Sequence, residues 1–185
     1  MMVAVLVERV TLDTSSNRFV VILKDETYKR WLPIVVGPAE AQAIALQLEK
    51  ISPPRPMTHD LMKSLLESTQ VNVSRVVVTE LKENTYYATI DVRRNGSQFQ
   101  VDARPSDAIA LALRTEAPIF VEEDVMQKAA IGDELEALEV AEDEEDEIQN
   151  LNRELKKAVE EERYEDAARY RDQINELQNK LDEKE

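Results

Sequence analysis

The segment Val101–Leu113, VDARPSDAIALAL, predicts a strand that runs directly into a helix. Its first residues alternate between polar and apolar side chains, the period of two that a pleated strand requires. Pro105 fixes φ at a value suited to the first helical turn, and the small residues after it allow the helix to lie close to a sheet. The polar residues that this junction gathers into one small volume are Asp102, Arg104, Ser106 and Asp107.

The segment at 33–46, PIVVGPAEAQAIAL, repeats this strand–proline–helix pattern earlier in the chain. Setting Pro38 on Pro105 places Glu40 on Asp107, and flanking matches at nearly the same offset indicate an internal duplication of about 66 residues. Each copy is predicted to hold about three strands and two helices. We expect an α+β fold in which both copies form one mixed sheet or barrel-like core, followed by a helical hairpin.

The chain of 185 residues carries a net charge of −15, which is unevenly placed. The charge balance is −2 over residues 1–130 and −13 over residues 131–185, so the acidity belongs to the tail and does not exclude a nucleic-acid substrate for the body. The absence of cysteine excludes disulfides and thiolate metal sites and favours a reducing compartment. The apolar run at the start is too short for a membrane span or signal, so we expect a cytoplasmic protein without membrane contact.

Composition and hydrophobic period divide the chain into three parts. Residues 1–131 are predicted to form one domain, and residues 132–147 an acidic linker. Apolar residues at helical spacing over 148–185 predict two short helices packed as an antiparallel hairpin. Its exposed apolar face should dock a protein partner or a second copy, and we expect a homo-oligomer.

Within the first domain, Thr58 is predicted to cap a helix over residues 59–68. The apolar residues that this helix is expected to bury are Leu61, Met62, Leu65 and Leu66. Asn95-Gly96 predicts a two-residue hairpin turn between two strands.

The pair His59-Asp60 holds the only histidine of the chain, at the start of that helix. A histidine there can act as a general base or a metal ligand, and Asp60 can orient it or hold a divalent cation. The alternative is a surface histidine beside a carboxylate that stabilises the helix dipole.

The junction at Pro105 is the second candidate for chemistry. Asp102 and Asp107, with Asp60, are predicted to hold Mg²⁺ or Mn²⁺ through oxygen ligands, while Arg104 meets a phosphate. The other residues that would complete a phosphate-facing patch are Arg55 and Arg114. The alternative is structural, with Arg104 paired to a neighbouring carboxylate and Ser106 capping the helix.

Three stretches in the first 131 residues resemble the bifunctional nuclease domain family. They are LPIVVGPAEA at 32–41, RPMTHDL at 55–61 and DARPSDAIALALR at 102–114. The resemblance implies an α+β fold built by duplication and nuclease activity on RNA and DNA. The active-site residues that it implies by position are His59, Asp60, Arg104, Ser106 and Asp107.

Residues 149–183 resemble the UVR motif, the helical hairpin of the excision-repair proteins UvrB and UvrC. The stretch EERYEDAARYRDQI at 161–174 carries this resemblance. It implies a protein–protein contact module, in agreement with the apolar face inferred from the helical period.

The sequence therefore predicts a cytoplasmic nuclease that hydrolyses phosphodiesters of RNA and DNA with a divalent cation. In this hypothesis His59 acts as base or acid and Arg104 stabilises charge on the phosphoryl group. The alternative is a non-catalytic module that binds an anion or small ligand at Arg104 and the helix N-termini and recruits a partner through the hairpin.

Overall fold

The computed structural model describes residues 1–13, 16–25, 27, 30–132, 151–158, 163, 166 and 169–174. The chain divides into two compact units, Met1–Gly132 and Asp133–Glu185. The predicted acidic linker lies outside the described residues, apart from its first residue.

The first unit consists of seven strands and four helices. In chain order they are β1 Met2–Asp13, β2 Arg18–Asp25, β3 Trp31–Val36, α1 Pro38–Leu48, α2 Thr58–Ser68, β4 Asn72–Lys82, β5 Thr85–Arg94, β6 Ser97–Ala103, α3 Pro105–Thr115, β7 Ile119–Glu122 and α4 Glu123–Ala129. Both α1 and α3 begin at a proline that is separated from the preceding strand by one residue, as the repeated pattern predicts.

All seven strands form one sheet in the order β3-β2-β1-β7-β4-β5-β6. Every neighbouring pair is antiparallel except β4 and β7, which are parallel. Each half contributes an antiparallel meander whose third strand lies at an outer edge, and β7 joins the two meanders. The predicted α+β class with one mixed sheet is confirmed, and this symmetric order is the one that a duplication would produce.

The sheet curls strongly. Five strand spacings separate β3 from β5, which in a flat sheet would amount to roughly 24 Å. Yet the Tyr86 hydroxyl on β5 donates a hydrogen bond to the Pro33 carbonyl on β3 over 3.3 Å. The two halves therefore meet again across the inside of the curl, which is the barrel-like feature expected from the sequence.

The core lies between this curled sheet and the helices. Helix α1 packs on β1 and β2, α3 packs on β4 and β5, and the two helices pack against each other. Alanines of both helices are buried in this contact, and most of the buried apolar side chains of the unit form one contiguous cluster. The largest fully buried apolar side chains of the cluster are Leu23, Leu32, Ile44, Ile109 and Met126.

Helix α2 differs from its prediction. Its N-cap is Met57 and not Thr58, because the Asp60 carboxylate accepts the Met57 N–H over 2.8 Å and Thr58 is already helical. The expected apolar stripe is also wrong for Leu61, Met62 and Leu65, which are 55%, 41% and 57% exposed. Helical spacing marks an apolar face, but it does not supply a partner element to cover that face.

The turn between β5 and β6 follows the prediction. Asn95 has φ of 49° and Gly96 has φ of 81°, so both central residues adopt left-handed backbone. This is the conformation of a two-residue hairpin turn with its favoured Asn-Gly pair.

In the second unit, residues 151–158 are helical and so are residues 169–174. The Arg163 N–H donates to the Ala158 carbonyl over 2.8 Å at the end of the first of these helices. Ala158 and Ile174, both at apolar positions of the predicted hairpin, are buried. None of the helices in the described ranges is long and apolar enough to cross a membrane.

Replacing Ile109 by Ala should lower the free energy of unfolding by about 2–5 kcal/mol, because the side chain is fully buried in the core. Leu65→Ala provides the matched control in α2, where 57% exposure limits the loss to about 0.5 kcal/mol or less. Urea denaturation of the full chain measures both changes. Equal losses for the two variants would contradict the described core.

Candidate functional site

The proline-rich segment before α2 determines where His59 lies. Prolines at residues 53, 54 and 56 cannot continue the preceding helix, so the chain is irregular, with a bend at residues 54 and 55, until Met57. The carboxylate of Asp60 then closes the first turn of α2 on the Met57 N–H. His59, in this first turn, is only 6% exposed.

A buried guanidinium fixes α2 against its neighbours. Arg114, in the last turn of α3, donates from Nε to Asp60 over 2.6 Å. Its Nη1 donates to the carbonyl of Ala43 in α1 over 3.1 Å and to that of Ala110 in α3 over 2.9 Å. One side chain thus joins three helices.

Four side chains form a continuous hydrogen-bonded chain that we call the corner cluster: His59, Asp107, Arg104 and Glu40. His59 Nε2 lies 3.2 Å from Asp107 Oδ1, and Arg104 Nε donates to Asp107 Oδ2 over 2.7 Å. Arg104 Nη2 donates to Glu40 Oε1 over 2.8 Å. His59 and Glu40 come from the first half of the unit and the other two residues from the second half. Two segments distant in sequence therefore meet at one corner.

Charge within the corner cluster is well defined at neutral pH. Burial raises the pKa of Asp107, but the hydrogen bonds from Arg104 and His59 outweigh it, so the pKa of this carboxyl lies below its usual value. The hydrogen bond to Asp107 likewise raises the pKa of the Arg104 guanidinium. Asp107 is therefore an anion held between the imidazole and a cation that is 66% exposed.

The ionised Asp107 also fixes the histidine tautomer. A carboxylate only accepts hydrogen bonds, so Nε2 of His59 carries the proton that it shares with Asp107. In the neutral ring Nδ1 is then the unprotonated nitrogen, and it has no hydrogen-bond partner among the residues that the structure describes. Within the same residues, Nη1 of Arg104 has no partner either. The corner cluster thus presents one free base and one free cationic donor.

Two hollows border Arg104. The first, which we call the groove, has a volume of about 640 Å³ and lies between α2, α3 and the strands β5 and β6. Apolar side chains dominate its lining, among them the partly exposed Met62, Leu65 and Val101. Asp107 and Asp102 lie at its polar end.

The second hollow, which we call the cleft, has a volume of about 1010 Å³ and lies inside the curl of the sheet. Gly37 at the start of α1 and Pro105 and Ser106 at the start of α3 line it, so both proline corners open into the same space. Its charged lining residues are Asp13, Arg18, Arg104 and Lys128.

The predicted metal ligands do not converge. Both carboxylate oxygens of Asp60 accept hydrogen bonds, from Met57 and Arg114, and both oxygens of Asp107 face His59 and Arg104. The Asp102 side chain is exposed on β6 and makes no hydrogen bond or ion pair with any described residue. No three His, Asp or Glu side chains of the described ranges are grouped as metal ligands. The predicted Mg²⁺ or Mn²⁺ site therefore does not fit this arrangement.

The predicted phosphate ligands differ in position. Arg104 is exposed at the corner cluster, as a phosphate contact requires. Arg114 is buried and its donors are used within the fold, which gives it a positioning role instead. Arg55 is exposed but lines neither the groove nor the cleft.

Ser106 does not cap α3 as expected. The N-cap is Arg104, and no side chain makes a capping hydrogen bond there. Ser106 lies one residue inside the helix, is 7% exposed and faces the cleft.

Glu40 is the member of the corner cluster that sequence reasoning did not select. Its carboxylate lies over Gly37, where a Cβ atom would collide with Glu40 Oε2, so a larger residue at this position would require the Glu40 side chain to shift. The signal was present in the repeat alignment, which sets Glu40 on Asp107. Both acids occupy the third position of their helices, and both bind Arg104.

Comparison with known families agrees with this architecture. The family model of the bifunctional nuclease domain matches residues 21–134, and the UvrB/UvrC motif matches residues 145–180. The chain belongs to the bifunctional nuclease domain family, and it carries a C-terminal UvrB/UvrC motif.

Relatives occur in bacteria and plants. An uncharacterised protein of Mycobacterium tuberculosis (strain CDC 1551 / Oshkosh) is 39% identical over 122 residues, which cover 66% of this chain and 73% of the relative. Two rice proteins, bifunctional nuclease 1 of Oryza sativa subsp. indica and bifunctional nuclease of Oryza minuta, are each 27% identical over 187 residues. These alignments cover 88% of this chain and 55% of each rice protein.

Asp60→Asn should lower the free energy of unfolding at pH 7 by about 2–4 kcal/mol, because it leaves the buried Arg114 without its ionic partner. Asp124→Asn, at an exposed position in α4, is the matched control and should change stability by about 0.5 kcal/mol or less. Urea denaturation of the parent chain and both variants measures the loss. A loss no larger than that of the control would contradict the described pairing.

At acid pH the free energies of unfolding of the parent chain and of Asp60→Asn should differ less than at pH 7. The hydrogen bond from Arg114, then that from Met57, hold the pKa of Asp60 below its usual value. A lowered folded-state pKa stabilises the fold above the unfolded pKa of about 3.9 and loses that effect as pH falls through the folded value. Unfolding free energies measured between pH 7 and pH 3 should therefore converge, and a constant gap would argue against an ionised Asp60.

Proposed function

We propose that this chain hydrolyses phosphodiester bonds of RNA or DNA at the corner cluster, in the cytoplasm. Membership of the bifunctional nuclease domain family supports the reaction class, and the rice relatives carry the name of that activity. The observation that carries the proposal is His59 hydrogen-bonded to an ionised carboxylate beside an exposed arginine.

His59 acts as the general base. Asp107 holds the ring by Nε2 and stabilises the imidazolium that forms when Nδ1 takes a proton from the attacking water. The water oxygen bonds to phosphorus, the bond to the leaving oxygen breaks, and that oxygen is protonated by the imidazolium or by solvent. Asp107 is the orienting residue and does not itself take the proton, since its pKa is lowered.

Arg104 stabilises the charge that develops on the phosphoryl oxygens. Two of its nitrogens are fixed by Asp107 and Glu40, so the guanidinium is oriented before substrate arrives. Its free Nη1 can then donate to a phosphoryl oxygen, the geometry for which arginine suits phosphate. Asp60 acts through position, since it closes the turn that holds His59 and binds Arg114.

The C-terminal unit is proposed to dock a protein partner or a second copy of the chain. The match to the UvrB/UvrC motif and the apolar positions at helical spacing support this role. The proposal assigns this unit no catalytic residue.

His59→Ala and Asp107→Asn should each reduce the cleavage rate of single-stranded RNA and DNA by roughly 10²-fold or more, the usual contribution of a positioned general base. Lys63→Ala is the matched control, because this partly exposed side chain lies one turn further along the same helix and its one ion pair within the described residues is with Glu67. Rates are measured on highly purified protein, with circular dichroism to check the fold and with EDTA, Mg²⁺ or Mn²⁺ to test the predicted cation.

A double variant that degrades both substrates at the parental rate would overturn this assignment. Saturable ligand binding by the parent chain with no loss of substrate would favour the alternative, a non-catalytic anion-binding module. The specific observation behind that alternative is the cleft itself, where cationic side chains and two helix starts face a single space.

A further inference from the structure

The N-terminus of α3 has donors that nothing in the described fold uses. Pro105 has no N–H, and the first helical hydrogen bond runs from Ala108 N to the Arg104 carbonyl. The N–H groups of Ser106 and Asp107 thus have no acceptor among the described residues, and no side chain caps the helix. At the corresponding end of α2, the Met57 N–H donates a hydrogen bond to the Asp60 carboxylate. Helix α3, eleven residues long, keeps its positive end open.

The hydroxyl of Ser106 is a second and independent observation. This side chain is 93% buried, lines the cleft and makes no hydrogen bond with any residue in the described ranges. The Ser106 hydroxyl opens into the cleft beside the free N–H groups of α3, so it is available to donate to an acceptor supplied from outside the protein.

The charges around the cleft favour an anion. Arg18 and Lys128 are both exposed, and neither forms an ion pair within the described part of the chain. Arg104 adds a cation that is already shared with Asp107 and Glu40, and Asp13 is the acid that lines the cleft. Asp13 also accepts from Ser16, which lies in the turn before β2.

We propose that the cleft binds a phosphate group on the Ser106 hydroxyl and the free N–H groups at the start of α3, with Arg18 and Lys128 as flanking cations. Several convergent donors at a helix N-terminus form an anion site, and the three oxygens of a phosphate can each accept from a different donor. The ligand is a phosphate monoester or diester, or free phosphate, since all three present the same oxygens.

This site is distinct from the corner cluster, although Arg104 borders both. The identification of the bound group as a phosphate of nucleic acid rests on the proposed function, whereas the site itself does not. A strand that crosses Arg104 would place one phosphate at His59 and a neighbouring phosphate in the cleft.

Isothermal titration of the full chain with inorganic phosphate, and separately with a nucleoside 5′-monophosphate, tests the proposal. Ser106→Ala should weaken binding of both ligands by about tenfold or more, the worth of a hydrogen bond to a charged group. Ser106→Asp should abolish binding, because it places a carboxylate where the anion would lie. Tighter binding of the nucleotide assigns the site to a nucleotide phosphate, and equal binding assigns it to free phosphate.

Surface variants keep the test independent of folding at the buried Ser106. Lys128→Gln should weaken binding by about two- to fivefold and reduce its salt dependence. Lys63→Gln, with the same charge change outside the cleft, should leave binding unchanged. No saturable binding by the parent chain would overturn the proposal. So would equal losses for the two lysine variants, or parental affinity in a folded Ser106→Asp variant.

Failure here and failure of the proposed function have different signatures. If the chain binds phosphate through Ser106 but has no nuclease activity, the proposed function is wrong and the phosphate site in the cleft is supported. If cleavage depends on His59 but phosphate binding is unchanged by variants of Ser106 and Lys128, the phosphate site is wrong and the proposed function is supported.

Discussion

The buried guanidinium of Arg114 is the interaction on which the site geometry depends. A cation removed from water is costly unless its donors are satisfied, and here the partners come from three different helices. Those helices can therefore pack in few relative positions. Because Asp60 and His59 are adjacent in the chain, the contact that anchors the first also fixes the second. The geometry of the imidazole–carboxylate pair thus depends on a contact at Arg114, about two helical turns along α3 from Asp107.

Curvature of the sheet provides the second constraint. In a flat sheet of this strand order the two proline corners would face separate regions of solvent. The contact between Tyr86 and Pro33 brings the halves together, so that the starts of α1 and α3 line one cleft. A cleft lined by two proline corners therefore requires both halves of the unit, since each half contributes one such corner.

Signals within a few residues of sequence predict most of the helices and strands, but they predict little of how these pack together. Alternation predicted β6 and the prolines predicted the starts of α1 and α3, because both signals act within a few residues. Leu65 was expected to be buried because spacing reveals an apolar face but not whether another element covers it. The His59–Asp107 contact spans 48 residues, and no local signal predicts it because it depends on the packing of α2 on α3.

Charge pairing was the least predictable feature. Arg104 was expected to face either a phosphate or a neighbouring carboxylate, and it bonds to two acids, one of them 64 residues away. Arg114 was expected at a phosphate and is instead enclosed by the helices. Arg18 and Lys128 lie on β2 and α4, and no local pattern relates them to the cleft. Such pairings follow from which side chains the fold brings together, and composition does not encode that.

Gly37 has a consequence for how the two halves differ. Its missing side chain lets Glu40 fold back over the start of α1, so that helix end already carries its own negative charge. The equivalent end of α3 follows Arg104, and its acid is drawn away toward the imidazole. Arg104 binds both acids, but Glu40 lies over the start of its own helix whereas Asp107 also contacts His59. The two halves therefore place equivalent acids in different surroundings, and only the second half brings its acid to an imidazole.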